Sequence, residues 1–214
     1  MSKLISDLLL GDGYISKSNR FGIHHSKKQI EWFWYKARLL LDYGYKFRVY
    51  TRNDDFIRLD GTVTQEIKSI RKLFYPNNYK IIPRNIQLDM VSLAILFMDD
   101  GRQNTISHYN SKINGVRKRI ETNKYVNRYE IATHNYTEDD IYVLISFLSE
   151  YDIESKILYQ HGYPILSISK TDSKNRFYEG IKPYVIESMK YKLSAKPSLS
   201  YIHGERLSEE TVNN

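Results

Sequence analysis

At 214 residues, with 41% hydrophobic and 27% charged side chains, the chain has the composition of a soluble folded protein and room for one large domain or two small ones. A formal charge of +7 and a pI near 9.3 point to a polyanionic partner, nucleic acid being the commonest. The absence of cysteine excludes a disulfide framework and a thiolate metal site. No apolar run has the length of a membrane span and no signal-peptide core opens the chain, so an intracellular setting without a membrane partner is expected.

Residues 3–11 read as a short apolar helix, with Gly13 placed to end it. Tyr14 to Ser26 suits a hairpin turning at Ser18-Asn19-Arg20. Lys27 to Tyr43 carries the clearest helical period, predicting an inward stripe of Ile30, Phe33, Trp34, Ala37, Leu40 and Leu41. From Lys46 to Arg52 the pattern alternates, with Lys46, Arg48, Tyr50 and Arg52 on one face and Phe47, Val49 and Thr51 on the other. A second strand over Phe56 to Thr62 turns Ile57 and Leu59 inward and Arg58 and Asp60 outward. Gln65 to Phe74 completes an αββαββα half.

The order then repeats. A helix over 90–100 precedes a hairpin, and Thr137-Glu-Asp-Asp140 resembles a capping box opening a helix that runs to about Tyr151. Strands near 154–161 and 164–170 flank His161-Gly162, and a helix follows from about Asp172 to Ile181. Such repetition marks an internal duplication, with a first repeat over residues 1–88, a second over 89–193 and a polar tail over 194–214. The second hairpin is longer by about 22 residues, since Gly101 to Thr137 spans 36 positions (137 − 101) where Gly13 to Lys27 spans 14 (27 − 13). The excess carries Lys112, Arg117, Lys118, Arg119 and Lys124 against the single acid Glu121, which predicts a nucleic-acid contact.

Two stretches are versions of one motif: Ile5-Ser-Asp-Leu-Leu-Leu-Gly-Asp12-Gly13 and Leu93-Ala-Ile-Leu-Phe-Met-Asp-Asp100-Gly101. Each runs an apolar helix into an acid and then glycine. A carboxylate at a helix C-terminus opposes the helix dipole, and two such carboxylates side by side repel each other. A divalent cation between Asp12 and Asp100 resolves both conflicts. Hard oxygen donors suit Mg²⁺, with Mn²⁺ as a substitute, and such an ion activates water for phosphodiester hydrolysis. A second repeated element follows each half. Lys80 and Lys192 each come after a tyrosine and before an aliphatic residue, 68 (80 − 12) and 92 (192 − 100) positions beyond their aspartates. The longer hairpin covers nearly all of that difference. Paired lysines could polarise water or neutralise charge building on a phosphate.

At these residues the chain resembles the LAGLIDADG homing endonucleases, in particular the single-chain members that carry the motif twice. The likeness runs over both motifs, Tyr79-Lys-Ile-Ile-Pro83, and the segment from Ile181-Lys-Pro-Tyr to Met189-Lys-Tyr-Lys-Leu193. It implies an α+β fold in which the motif helices pack at a pseudo-twofold axis. Two four-stranded antiparallel sheets would form a saddle over the DNA major groove. It further implies a monomer that cuts both strands of a long asymmetric DNA site with Mg²⁺ and leaves short 3′ overhangs. Asp12 and Asp100 would bind the metal, and Lys80 and Lys192 would occupy the catalytic-pocket lysine positions. Gly11 and Asp99, which precede the two acids, are carried as further candidate ligands, although only Asp100 aligns with Asp12.

The implied DNA surface comprises Lys17, Arg20, Lys46, Arg48, Tyr50, Arg52 and Arg58 in the first half. In the second it comprises Lys112, Arg117, Lys118, Arg119, Lys124, Arg128, Glu130, His134, Lys156 and Gln160. His24 and His25 alternate faces, so at most one contacts DNA, and neither is a persuasive metal ligand. Two other roles fit the same scaffold: an intron RNA-splicing maturase, which makes intron RNA a second candidate partner, and a noncatalytic DNA-binding protein. The acid and lysine pairs favour cleavage, since binding alone does not require them. An organelle such as the mitochondrion, or a bacterial or phage-host cytoplasm, is the expected location.

Overall fold

The computed structural model describes residues 2–52, 55–113, 116–195, 201–202 and 205–206, with the side chains at 52, 108–113, 117–124 and beyond 200 outside that description. The chain folds as two αββαββα units. In the first, α1 (Lys3–Leu10) leads to β1 (Gly13–Ile15) and β2 (Phe21–Ser26). A 3-10 turn over Lys27–Gln29 then enters α2 (Ile30–Asp42), followed by β3 (Phe47–Arg52), β4 (Phe56–Gly61) and α3 (Gln65–Phe74). The second unit runs α4 (Met90–Asp100), β5 (Gly101–Ile113), β6 (Val116–Ala132), α5 (Glu138–Ser149), β7 (Lys156–Gln160), β8 (Tyr163–Ile168) and α6 (Thr171–Ile181). Each unit holds a four-stranded antiparallel sheet, in the orders β1-β2-β4-β3 and β5-β6-β8-β7. The duplication expected from the motifs is therefore repeated strand for strand.

Side-chain caps mark the starts of α1, α3, α4 and α5. Thr64 Oγ1 accepts from Ile67 N at 3.1 Å at the start of α3. Asp89 and Ser92 form a reciprocal capping box on α4, and Thr137 and Asp140 form the expected one on α5. Both α1 and α4 are buried almost all round, as helices at the centre of a protein must be. They pack on each other, and one polar lock sets their register: Ser92 Oγ donates to Asp7 Oδ1 at 2.7 Å, while Lys3 Nζ reaches Asp7 Oδ2 at 2.8 Å and Ser92 Oγ at 2.7 Å. Asp7 thus acts as a polar pin between the two motif helices.

The sheets obey the alternation read from the sequence. Ile57 and Leu59 point into the core and Arg58 and Asp60 away from it, while Lys46, Arg48 and Tyr50 are exposed opposite half-buried Phe47 and Val49. In the second unit Tyr129 and Ile131 face inward, and Tyr129 packs with Phe97 and Phe177 at ring separations of 5.8 and 4.8 Å. The β5–β6 register slips between Asn104/Thr105 and again between Ile106/His108, and beyond these irregularities the long hairpin extends. Lys174 of α6 donates to the Val126 and Asn127 carbonyls at 2.8 and 3.2 Å, bonding the first irregularity to the core.

One expected face is corrected. In α2 the buried set is Trp32, Phe33, Lys36, Ala37 and Leu40, whereas Ile30, Trp34 and Leu41 are exposed. The helix is rotated from its most apolar orientation because Trp32 and Lys36 carry polar groups that bond at the centre of the molecule. The residues after α6 form 3-10 turns over Lys182–Tyr184 and Glu187–Leu193. Gln103 then exchanges two hydrogen bonds with the Ala195 backbone, at 2.7 and 3.0 Å.

Candidate active site

The site is built where α1 and α4 end together. The glycines after the acids are needed for close approach rather than for a left-handed backbone. A Cβ at Gly13 would lie 2.4 Å from the Leu8 carbonyl oxygen, and one at Gly101 would lie 2.0 Å from Phe97 Cδ2. Removing that atom lets each chain turn directly from motif helix into first strand, with the aspartate at the corner.

Lys80 and Lys192 occupy equivalent places around these corners. Lys80 Nζ donates to the Gly11 and Gly13 carbonyls at 2.7 and 2.9 Å, bracketing Asp12. Lys192 Nζ donates to the Asp99 carbonyl at 2.8 Å and the Phe97 carbonyl at 3.4 Å, beside Asp100. Each ammonium satisfies carbonyls left over at a helix C-terminus. Burial pulls Lys80 down to about 8 despite three nearby aspartates and also lowers Lys192. Burial pushes Asp12 up to about 7, with the charge of Asp99 adding to it. Asp100 rises to about 6 for the same two reasons. Both carboxylates are thus costly to ionise where they stand.

The halves differ at one position each. Asp99 precedes Asp100 where Gly11 precedes Asp12, and a Cβ on Gly11 would lie 2.3 Å from Asp99 Oδ2. The Asp99 carboxylate fills the space that Gly11 leaves. Its Oδ2 accepts the Asp12 backbone N–H at 3.0 Å, and its Oδ1 accepts from Trp32 Nε1 at 2.6 Å and Lys36 Nζ at 2.5 Å. The Lys36 and Asp99 side chains are both fully buried. Burial alone would raise Asp99, but the Lys36 ammonium outweighs it and holds the carboxylate below its ordinary value. Asp99, carried as a candidate metal ligand, is therefore engaged on both oxygens by protein donors. The Gly11 carbonyl, the other added candidate, accepts from Lys80.

His25 enters the site against expectation. It is buried with Nδ1 3.5 Å from Asp12 Oδ2 and Nε2 4.0 Å from Asp99 Oδ1. Asp12, His25 and Asp99 each place a ligand atom within 4.8 Å of the others. Burial, then the nearby Lys36 charge, lowers His25 to about 4, so the imidazole is neutral at physiological pH. Tyr136 is another residue missed. From the second half it donates to the Leu10 carbonyl of α1 at 2.8 Å. Trp32, Lys36, His25 and Tyr136 lie outside the repeated motif; Trp32, Lys36 and His25 showed only as polar groups inside helix or strand periods, and Tyr136 in the turn before α5 carried no signal.

The proposed DNA-contact residues fall into four groups. Lys17 and Arg20 are exposed at the β1–β2 turn, Lys46, Arg48 and Tyr50 on the outer face of the first sheet, Lys156 on β7, and His134 just past β6. Arg58 is held by Asp60 at 2.6 Å and lies over the Tyr50 ring at 5.4 Å. Arg52, Lys112, Arg117, Lys118, Arg119 and Lys124 lie in strands, but their side chains fall outside the described residues. Glu130 requires a correction: it shares the outer face with Arg128 as expected, yet its side chain is only 2% exposed, so it is not a surface contact. Arg102 and Arg128 cover it, and Gln160 accepts from Arg102 at 2.6 Å.

Comparison with known proteins agrees with this architecture. Over 216 aligned residues the chain is 26% identical to cytochrome b mRNA maturase bI2 of Debaryomyces hansenii, covering 90% of this chain and 73% of that protein. It is 31% identical over 137 residues to probable intron-encoded endonuclease 1 of Wickerhamomyces canadensis, covering 61% of this chain and 53% of that one. The chain thus spans about half the length of the second relative. Its fold matches the homing endonuclease I-WcaI, solved bound to its DNA recognition sequence, with a TM-score of 0.68 at 23% identity over 90% of this chain and 86% of that one. No helix among the described residues is long and apolar enough to cross a membrane. A family model for the LAGLIDADG DNA endonucleases matches residues 3–176, which include both motif helices and both sheets, and the chain belongs to that family.

Proposed function

We propose that the chain is a monomeric, Mg²⁺-dependent endonuclease that cuts both strands of a long, asymmetric DNA site, leaving short 3′ overhangs. The observation that carries this reading is the doubled acid and lysine constellation, Asp12 with Lys80 and Asp100 with Lys192. Both lysines spend their ammonium on backbone carbonyls, which leaves two strained carboxylates at the junction of two helix ends. That donor set fits a hard divalent cation, and Mn²⁺ should replace Mg²⁺. Asp12 and Asp100 are the assigned ligands, while Gly11 and Asp99 make room for and brace Asp12. The bound ion would activate water and stabilise the leaving oxygen. Lys80 and Lys192 supply positive potential beside the scissile phosphates, held in place by the helix ends they cap. The outward arginines and lysines of the two sheets hold and read the duplex, each half reading different bases. I-WcaI was solved on its DNA recognition sequence, which supports double-stranded DNA as partner; an organelle, which the intron-encoded relative supports, or a bacterial or phage-host cytoplasm is the proposed place of action.

The test is cleavage of a plasmid library carrying candidate sites, in Mg²⁺ and in EDTA. Asp12→Asn and Asp100→Asn should each abolish double-strand cutting while duplex binding persists. Full cutting by either variant overturns the assignment. The likeness to a maturase over 73% of that protein supports a second reading, assistance of intron RNA splicing. A splicing assay on the host intron decides it, with RNA release that survives Asp12→Asn marking a role separate from cleavage.

A further inference from the structure

Glu130 is the one acid on the outer face of the second sheet, among the described residues, whose carboxylate is sealed from solvent. It sits in the middle of β6, paired across the ladder with Arg102 of β5 on one side and Ser167 of β8 on the other. Arg102 Nε donates to Oε2 and Arg128 Nε donates to Oε1, both at 2.5 Å. The acid is 2% exposed, whereas Arg102 and Arg128 are 56% and 32% exposed. Arg102 is fixed at a second point, through Nη2 to Gln160 Oε1 at 2.6 Å. Two guanidinium groups are therefore anchored through their Nε atoms, Arg102 also through Nη2, and both remain partly exposed to solvent.

An acid on a surface meant for a polyanion lowers attraction, so its retention calls for a function other than charge. A buried carboxylate persists only when it is fully paired, and among the described residues this one is paired to the two arginines. An arginine free in solvent loses much of its rotamer freedom on binding, while one already clamped loses little. Clamped forks suit bidentate recognition of guanine O6 and N7, and loose Lys or Arg side chains suit phosphates. The first sheet repeats the device in simpler form, since Asp60 holds Arg58 at 2.6 Å and accepts from the Tyr14 hydroxyl at 3.3 Å.

We infer that Glu130 is a positioning residue that makes Arg128 and Arg102 the guanine readers of the half-site lying against the second sheet. This rests on the proposed DNA-binding function. Unclamped side chains such as Lys46, Arg48 and Lys156 then contribute affinity without base choice.

The experiment is selection of bound sequences from a random duplex library by the full chain in EDTA, followed by affinity and salt titrations on the enriched duplex and on its single-base variants. The wild type should enrich guanine at one or two positions of one half-site. Arg128→Ala should lose on the order of tenfold discrimination at one of those positions. Glu130→Gln is the diagnostic variant, because it removes a negative charge and should tighten binding to unrelated duplex. At the same time it should lose discrimination at the guanine positions. Better binding with discrimination intact means the acid acts only through its charge, and the inference fails. If Glu130→Gln does not fold, Glu130→Asp, which keeps the charge but shortens the reach to both arginines, should show the same loss of discrimination with unrelated binding unchanged, and unaltered discrimination there also overturns the inference. A wild type that enriches no duplex overturns the proposed function as well.

Discussion

Lys36 and Asp99 face each other with no solvent around either side chain, so the two groups are buried as a pair. Lys36→Met should cost about 3–5 kcal/mol by stranding a buried carboxylate, and the double variant Lys36→Met/Asp99→Asn should recover much of that loss in denaturant titration. Recovery of nothing would mean that Lys36 acts through packing alone. The ion pair was invisible in the sequence for a physical reason. Helical periodicity ranks residues by hydrophobicity, and so placed Trp34 and Leu41 inward, whereas a buried lysine is decided by a partner 63 residues away. The motif aspartates were legible because their oddity is local: an acid at a helix end is unfavourable wherever the helix is packed.

At the scale of elements, the two motif helices end in carboxylates, and under the proposed metal-binding role their protonation couples a divalent cation to stability. Asp12 and Asp100 are raised from 3.8 to about 7 and about 6, so folding favours their protonated forms. Their contribution is largest near and below pH 4 and is lost as pH rises through 6 and 7. A divalent cation held by these two carboxylates, as proposed, favours the ionised forms, so the rise in Tm on adding Mg²⁺ should be larger at pH 7.5 than at pH 5. A metal-induced rise that does not depend on pH would separate the ion from these carboxylates. The long β5–β6 hairpin is the other element with a distinct expectation. Removing residues 112–124 should weaken duplex binding and flatten its salt dependence by about 0.9 in log–log slope for each phosphate no longer neutralised. An unchanged slope would reject a role for the hairpin in holding DNA. The strands were readable from alternation alone, since one face meets a core and the other does not. Glu130 was misplaced because alternation assigns a face and cannot say that two arginines roof it over.

Over the whole molecule, the proposed function combines shared chemistry with divided recognition. The acid and lysine of each half are equivalent in placement, while the outer sheet faces carry different residues: Lys46, Arg48 and Tyr50 on one, Arg102, Arg128 and Lys156 on the other. Arg48→Ala should therefore weaken binding through one half-site only, as read by cleavage of a panel of single-base variants. Equal loss across both half-sites would contradict the two-lobe arrangement.

The packing of Asp99 against Gly11 also bears on the history and re-engineering of the duplication. One half offers a vacant notch and the other a carboxylate that fills it, so the two motif helices have become plug and socket. A tandem of two second halves would drive one Asp99 against another with no Lys36 to neutralise either. A tandem of two first halves would leave an empty notch and two unpartnered buried lysines. The halves have lost interchangeability, and chimaeras with other members of the family should fold only when Gly11, Lys36 and Asp99 travel together.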